Sequence, residues 1–180
     1  MSKNHPEEEI RGWSKFILKR IVEGYRTQGR SVLPCSSEID CVLEKKKIRA
    51  TIHFFTGGFI TINFENYETI EDILVQVCEK LGIHESYRRY YGIYEVNNKQ
   101  LQREECFVEN FVKMGDVIAS WSHEKSFLKK RTIAVEEEEG PRLYLKLRYF
   151  YELDIEKSSD LHILYNEACF YFKQCHCPMD

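Results

Sequence analysis

One stretch restricts the possible folds more than any other: IRATIHFFTGGFITINFE, residues 48–65. Ile48, Ala50, Ile52 and Phe54 are apolar at every second position, and Arg49, Thr51 and His53 alternate with them. After Thr56-Gly57-Gly58, the pattern resumes with Ile60, Ile62 and Phe64 against Thr61 and Asn63. Successive side chains of a strand point to opposite faces, so a period of two with a glycine turn between the runs reads as a β-hairpin with one buried face. Such a hairpin is not stable alone and needs a covering element. That element follows directly. Ile70, Ile73, Leu74, Val77, Cys78 and Leu81 share one face of a helix, Thr69 and Asp72 form a weak capping box, and Gly82 closes the helix.

The other segments are weaker. An amphipathic helix is expected from Glu7 to Tyr25, with Trp13, Phe16, Ile17 and Ile21 on one face. That stripe lacks a partner on its N-terminal side. A second helix is expected over Ser37 to Lys46, capped by Ser36 or Ser37, with Ile39, Val42 and Leu43 as its apolar side. Beyond the 70–81 helix come a strand at Tyr90 to Val96 and a turn at Asn97-Asn98. A helical stretch then runs through Phe107, Phe111, Met114, Val117, Ile118 and Trp121, and a charged loop spans 122–141. RLYLKLRYFY is a last strand, with Leu143, Leu145, Leu147, Tyr149 and Tyr151 on one side and Lys146 and Arg148 on the other. Ser158-Ser159-Asp160 caps a final helix whose apolar face is Leu161, Leu164, Tyr165, Ala168, Cys169 and Phe172. Hairpin, helix, strand, strand is the order of an α+β, ubiquitin-like β-grasp.

Composition narrows the function. The chain has 180 residues and a net charge of -3, which argues against a dedicated nucleic-acid binder. The charge is uneven: residues 1–49 hold 11 Lys/Arg against 7 Asp/Glu, and residues 50–180 hold 15 against 22. A basic front on an acidic body points to an anionic partner for the front. The polar start MSKNHPEEEI has no signal-peptide pattern, and no apolar run is long enough to span a bilayer. Seven irregularly spaced cysteines are expected to be reduced thiols in a cytoplasmic setting.

No residue pattern points to chemistry. Cys175-His176-Cys177 lacks the second ligand pair that structural zinc needs, so no metal is assigned, and a small thiol- or metal-binding β-grasp protein is the lesser alternative. No phosphate-cradling loop, dinucleotide fingerprint or metalloprotease motif is present, and no cofactor or catalytic residue is expected. Gly57-Gly58 is an internal turn, which excludes a conjugated modifier. Two basic clusters stand out. Lys45, Lys46, Lys47 and Arg49 read either as compensation of a helix C-terminus or as a contact for an acidic surface. Lys129, Lys130 and Arg131 either balance Glu136 to Glu139 or touch an anionic surface, weakly, at about 1 kcal/mol per basic residue.

Several segments together carry a family resemblance. LPCSSEIDCVLEKKKIRATIHFFTGGFITINFENYETIEDIL resembles the junction of a myosin tail homology domain with a FERM domain, through Pro34, the serines, Glu38 and Ile39, and the strand and turn at Phe54 to Gly58. GDVIASW, RLYLKLRYFY and DLHILYNEACFYFKQ resemble, in order, a helix and the final strand of the ubiquitin-like first FERM lobe and the first helix of the helical second lobe. The tandem occurs in tails of unconventional myosins of classes VII, X and XV and in related pleckstrin-homology adaptors. The resemblance implies three parts: residues 1–47 as the end of a tail homology domain, 48–151 as the first FERM lobe, and 152–180 as a truncated second lobe, with QCHCPMD as its cut edge. It implies a non-catalytic, cytoskeleton-associated module that binds protein cargo or receptor tails. It implies microtubule contact through Lys45, Lys46, Lys47 and Arg49, and actin contact only through a motor elsewhere.

Overall fold

The computed structural model describes residues 6–26, 29–55, 57–99, 102–131, 141–149 and 161–174. Helices α1 (Pro6–Arg26) and α2 (Ser36–Leu43) lead into strands β1 (Ile48–His53) and β2 (Phe59–Phe64). Helix α3 (Ile70–Leu81), the short α4 (Glu85–Arg88), and strands β3 (Tyr91–Lys99) and β4 (Gln102–Phe107) follow. Helix α5 (Met114–Arg131), strand β5 (Arg142–Leu147) and helix α6 (Leu161–Gln174) complete the described elements.

The sheet runs β2-β1-β5-β3-β4. The first and last strands pair in parallel, Ile52 with Leu143 and His53 with Tyr144, and the other neighbours are antiparallel. The hairpin registers Ile48 on Phe64 through His53 on Phe59. Its inward positions Ile48, Ala50, Ile52, Ile62 and Phe64 are buried, so the period of two becomes one face of the core. Helix α3 covers that face with Ile70, Ile73, Leu74, Val77 and Cys78. Its ends match the expected signals. Thr69 Oγ1 accepts from the Asp72 N–H at 3.3 Å, the Asp72 carboxylate accepts from the Thr69 N–H at 2.8 Å, and Gly82 sits left-handed at φ 72°. The fold is α+β, a ubiquitin-like β-grasp.

Several local expectations differ from the structure. Asn97 and Asn98 are not a turn: they lie in β3, paired with Glu104 and Arg103 of β4. Strand β4 escapes the pattern because QREECF is polar and lies at the sheet edge, where burial imposes no alternation. The helical stretch starts at Met114, not Phe107, which ends β4; Phe111 is exposed. Helix α5 also runs through Arg131, ten residues into the expected loop, because SHEKSFLKKR contains no glycine or proline to stop it. Helix α2 is capped from Cys35, not from a serine, and buries Glu38 while Ile39 and Leu43 face outward. Helix α6 is rotated from its expected face: Ile163, Leu164, Glu167 and Phe170 lie toward the lobe, while Leu161, Tyr165 and Phe172 are exposed. In β5, Leu143 and Leu145 are buried as expected, but Lys146 is buried too; the strand ends at Leu147, Tyr149 beyond it is exposed, and Tyr151 lies outside the described residues.

Candidate functional site

The segment before the sheet is fastened to the lobe by charge. The Arg30 guanidinium donates through Nη1 and Nη2 to the Glu38 carboxylate, and through Nε to Asp116 Oδ1 at 2.7 Å. Asp116 also accepts from the Ser31 N–H at 2.9 Å, and Glu38 from the Cys35 N–H at 3.2 Å. Glu38 is 2% exposed. A carboxylate buried this deeply requires a paired cation and hydrogen bonds, and both are present. Burial alone would lower the Arg30 pKa, but hydrogen bonds and charge from Glu38 and Asp116 outweigh it, and the pKa is raised. Helix α5 can approach this node because residue 115 is glycine. A Cβ there would lie 3.0 Å from Arg30 Nη1 and 3.2 Å from Glu38 Oε2.

Two further contacts hold α1. Arg20 Nη2 donates to Glu65 at the end of the hairpin, with its guanidinium over the Phe16 ring at 4.0 Å. The Lys45 ammonium lies 4.0 Å above the Trp13 ring, which meets Phe16 edge-on at 5.7 Å. Behind α1 is a groove of about 370 Å³, whose polar lining includes Arg20, Arg30, Asn66, Tyr67 and Lys113. Lys113 is only 5% exposed, and no hydrogen bond or ion pair reaches its ammonium among the described residues. Burial lowers its pKa; Asp116 opposes this and Arg30 adds to it. Arg20 Nε and Nη1 and Asn66 Oδ1 are buried atoms without hydrogen-bond partners among the described residues. On the far side of Lys113 a second groove, of about 340 Å³, is lined by Asp116 and Glu95.

The basic cluster at the end of α2 is divided by the structure. Lys45 is at φ 55° and is held on Trp13, and Lys46 pairs with Glu44 at 2.7 Å. Lys47 and Arg49 are exposed. Lys129, Lys130 and Arg131 fall in the last turn of α5, and their side chains lie outside the described residues, as do Cys175, His176 and Cys177. No residue of the Arg30 node or the groove was expected from sequence to form a site: Glu38 and the segment holding Asp116 enter only through the family resemblance, and Ile21 only as part of the α1 stripe. Their only signal is the isolated Arg30 of the α1–α2 connection, which resembles any surface charge.

Helix α6 has its own polar anchor. The buried Glu167 carboxylate accepts from the Leu147 N–H at 2.9 and 3.3 Å. Lys146 pairs with Glu105 and lies 4.5 Å from the Tyr94 ring. Phe170 stacks on Phe55 at 4.3 Å, and Phe55 on Tyr144 at 5.2 Å.

Residues 46–149 match the family profile described as RA like domain. The chain belongs to the RA-like domain family. This RA-like chain is also similar to "Pleckstrin homology domain-containing family H member 3" of Rattus norvegicus and Homo sapiens, at 24% identity over 95 residues, 53% of the chain. It spans only 12% of the length of those curated relatives. Among solved structures, the Dictyostelium discoideum myosin VII MyTH4-FERM MF1 domain (mutant 2) superposes with a TM-score of 0.63 at 17% identity. That match covers 84% of this chain and 28% of the other. The MF2 domain (mutant 1) of the same myosin covers 91% and 36%, with a TM-score of 0.55 at 19% identity. The human Myosin 7b C-terminal MyTH4-FERM domain, solved in complex with the harmonin-a PDZ3 domain, gives 0.55 at 14% identity, covering 77% and 27%. These likenesses establish the fold: the lobe has the architecture of the ubiquitin-like FERM lobes.

Proposed function

We propose that this RA-like chain is a non-catalytic protein-recognition module from the tail of an unconventional myosin or of a pleckstrin-homology/tail homology/FERM adaptor. Residues 1–47 are the end of the tail homology part, 48–151 the first FERM lobe and 152–180 the start of the second. The observation that carries the reading is the node of Arg30, Glu38 and Asp116, which joins the first part to the second through buried charge. A recognition block needs such rigidity, because ordering two loose parts on binding costs affinity. Likeness to myosin VII MyTH4-FERM domains over 84–91% of the chain supports the reading, since it extends beyond the lobe. The Myosin 7b neighbour is bound to a PDZ domain, which supports a protein as the kind of partner. Cargo proteins or receptor tails are the expected partners, in a cytoskeleton-associated cytoplasmic setting, with actin reached only through a motor elsewhere and membrane contact weak at most.

A display library of cytoplasmic-tail peptides, selected on the full chain and followed by calorimetry, tests this. One-to-one binding in roughly the micromolar range is expected of a transient recognition module. Absence of any enriched sequence would refute it. Exposed Lys47 and Arg49 favour microtubules as a second partner. Co-sedimentation at low salt should then fall on Lys47→Glu with Arg49→Glu, and a wild-type chain that stays in the supernatant rules microtubules out.

A further inference from the structure

The sheet has two edges, β2 and β4, and they are guarded differently. An exposed edge presents unpaired N–H and C=O groups, and proteins blunt it with charge, proline, bulges or a cover. Strand β4 carries Arg103, Glu104 and Glu105 among its six residues. Strand β2 is FITINF, with no charge, proline or glycine, the composition of a segment that pairs readily with copies of itself. Its outward groups follow from the register. The Phe54 N–H donates to the Gly58 carbonyl at 2.9 Å, and the hairpin continues by setting Ile52 against Ile60 and Ile48 against Phe64. Bonded and non-bonded partners alternate in an antiparallel pair. Ile60, Ile62 and Phe64 therefore bond to β1, while Phe59, Thr61 and Asn63 turn their backbone groups outward. Among the described residues, one side chain bonds to that outward row. Lys80, exposed in the last turn of α3, donates from Nζ to the Thr61 carbonyl at 2.9 Å. A lysine suits a helix C-terminus in any case, but its reach to the middle acceptor of the edge is not needed for that.

We propose that β2 is a self-pairing edge held shut by Lys80: with the lysine in place the chain stays single, and without its charge two copies join antiparallel through Phe59–Phe64. The occupant is a second copy because FITINF is neutral and matches itself. A two-fold axis at Thr61 sets Thr61 against the partner's Thr61 and Phe59 against the partner's Asn63. The outward N–H and C=O groups of one edge then bond to those of the other. Such a contact is isologous and closes as a dimer. The same axis brings the two Lys80 ammonium groups together and takes from each the carbonyl it holds. Like charge and the loss of two charge-assisted bonds therefore oppose the pairing.

Analytical ultracentrifugation of the full chain over a concentration series tests this, with Lys80→Met and Lys80→Arg beside the wild type. Wild type and Lys80→Arg should remain monomeric, since both keep the charge. Lys80→Met should dimerise, with a dissociation constant at least about tenfold below that of the wild type, because each copy no longer gives up a charge-assisted bond. Hydrogen exchange in that dimer should slow at the Phe59, Thr61 and Asn63 amides. Adding Thr61→Lys to Lys80→Met puts charge back on the axis and should return the monomer. Lys80 is exposed and outside the core, so Lys80→Met should keep the urea midpoint of the wild type. Equal association of wild type and Lys80→Met overturns the proposal, whether both are monomeric or both dimerise through the exposed apolar residues of α1. So does a Lys80→Met dimer that survives Thr61→Lys, or one whose protected amides lie elsewhere. Open-ended assembly in place of a dimer also overturns it, because β2 would then be meeting a different surface.

Discussion

The core of the lobe and its two seams are held by opposite means. Inside the lobe, Ile52, Ile62, Phe64, Ile73 and Val77 are fully buried and apolar. At the α1–α2 seam Glu38 and Asp116 are buried and Arg30 lies half-buried between them, and at the α6 seam Glu167 and Lys146 are buried. Apolar burial is non-directional and resists unfolding wherever surface is hidden. Buried charge stabilises only in one geometry, so the seams specify how the flanks sit more than they add to stability. The difference shows which parts can separate while the lobe remains folded.

Phe64→Ala should have the largest effect. Emptying a fully buried phenylalanine costs about 3–5 kcal/mol, and the urea midpoint of the whole lobe should fall accordingly. A local effect restricted to the hairpin would contradict a single shared core. Glu38→Ala comes next. It leaves Arg30 facing only Asp116, at about 2–3 kcal/mol, discounted from the range for buried pairs because Arg30 remains 16% exposed. Hydrogen exchange should rise across α1 and α2 and remain unchanged in α3; global unfolding would erase the contrast between core and seam. Gly115→Ala acts on the same seam from the other side and should cost about 1–2 kcal/mol through the close approach of Arg30.

Glu167 sharpens the comparison through pH. Burial raises its pKa, and the Leu147 N–H and the Lys146 charge only partly offset this. Its folded pKa therefore lies above its unfolded one. The favourable contribution is fully present below the ordinary glutamate range and is lost as pH rises through the raised folded value. Exchange protection of α6 should accordingly strengthen as pH falls toward the ordinary carboxylate range. Glu167→Gln should flatten that dependence, and an unchanged slope would reject the assignment to Glu167. Lys45→Ala should be the smallest change, about 0.5–1 kcal/mol for an exposed cation–π contact, visible as fraying of α1 near Trp13.

The hairpin and α3 were legible because their periods, two and 3.6, each point one face at the core, and Ile52 or Val77 carries that information locally. Strand β4 was not, because an edge strand of polar residues obeys no burial pattern. The length of α5 was hidden by its charge, which looks like a loop when no apolar stripe accompanies it. The face of α6 was misjudged because Leu161 and Tyr165 look more buried than Glu167, and only the bond from the Leu147 N–H to the Glu167 carboxylate reverses that order. The groove was illegible for a related reason: Arg20 and Lys113 are 93 positions apart, and nothing in a string of letters brings them to one groove.

By itself, the sequence determined the β-grasp and its core, since alternation and helical spacing are local and strong enough to decide which faces are hidden. The tertiary structure alone decided where charge is buried. Arg30 meets Asp116 across 86 positions, and Arg20 and Lys113 come to line one groove. Coulomb and desolvation energies depend on distance and surroundings in space, and neither is written in the spacing along the chain.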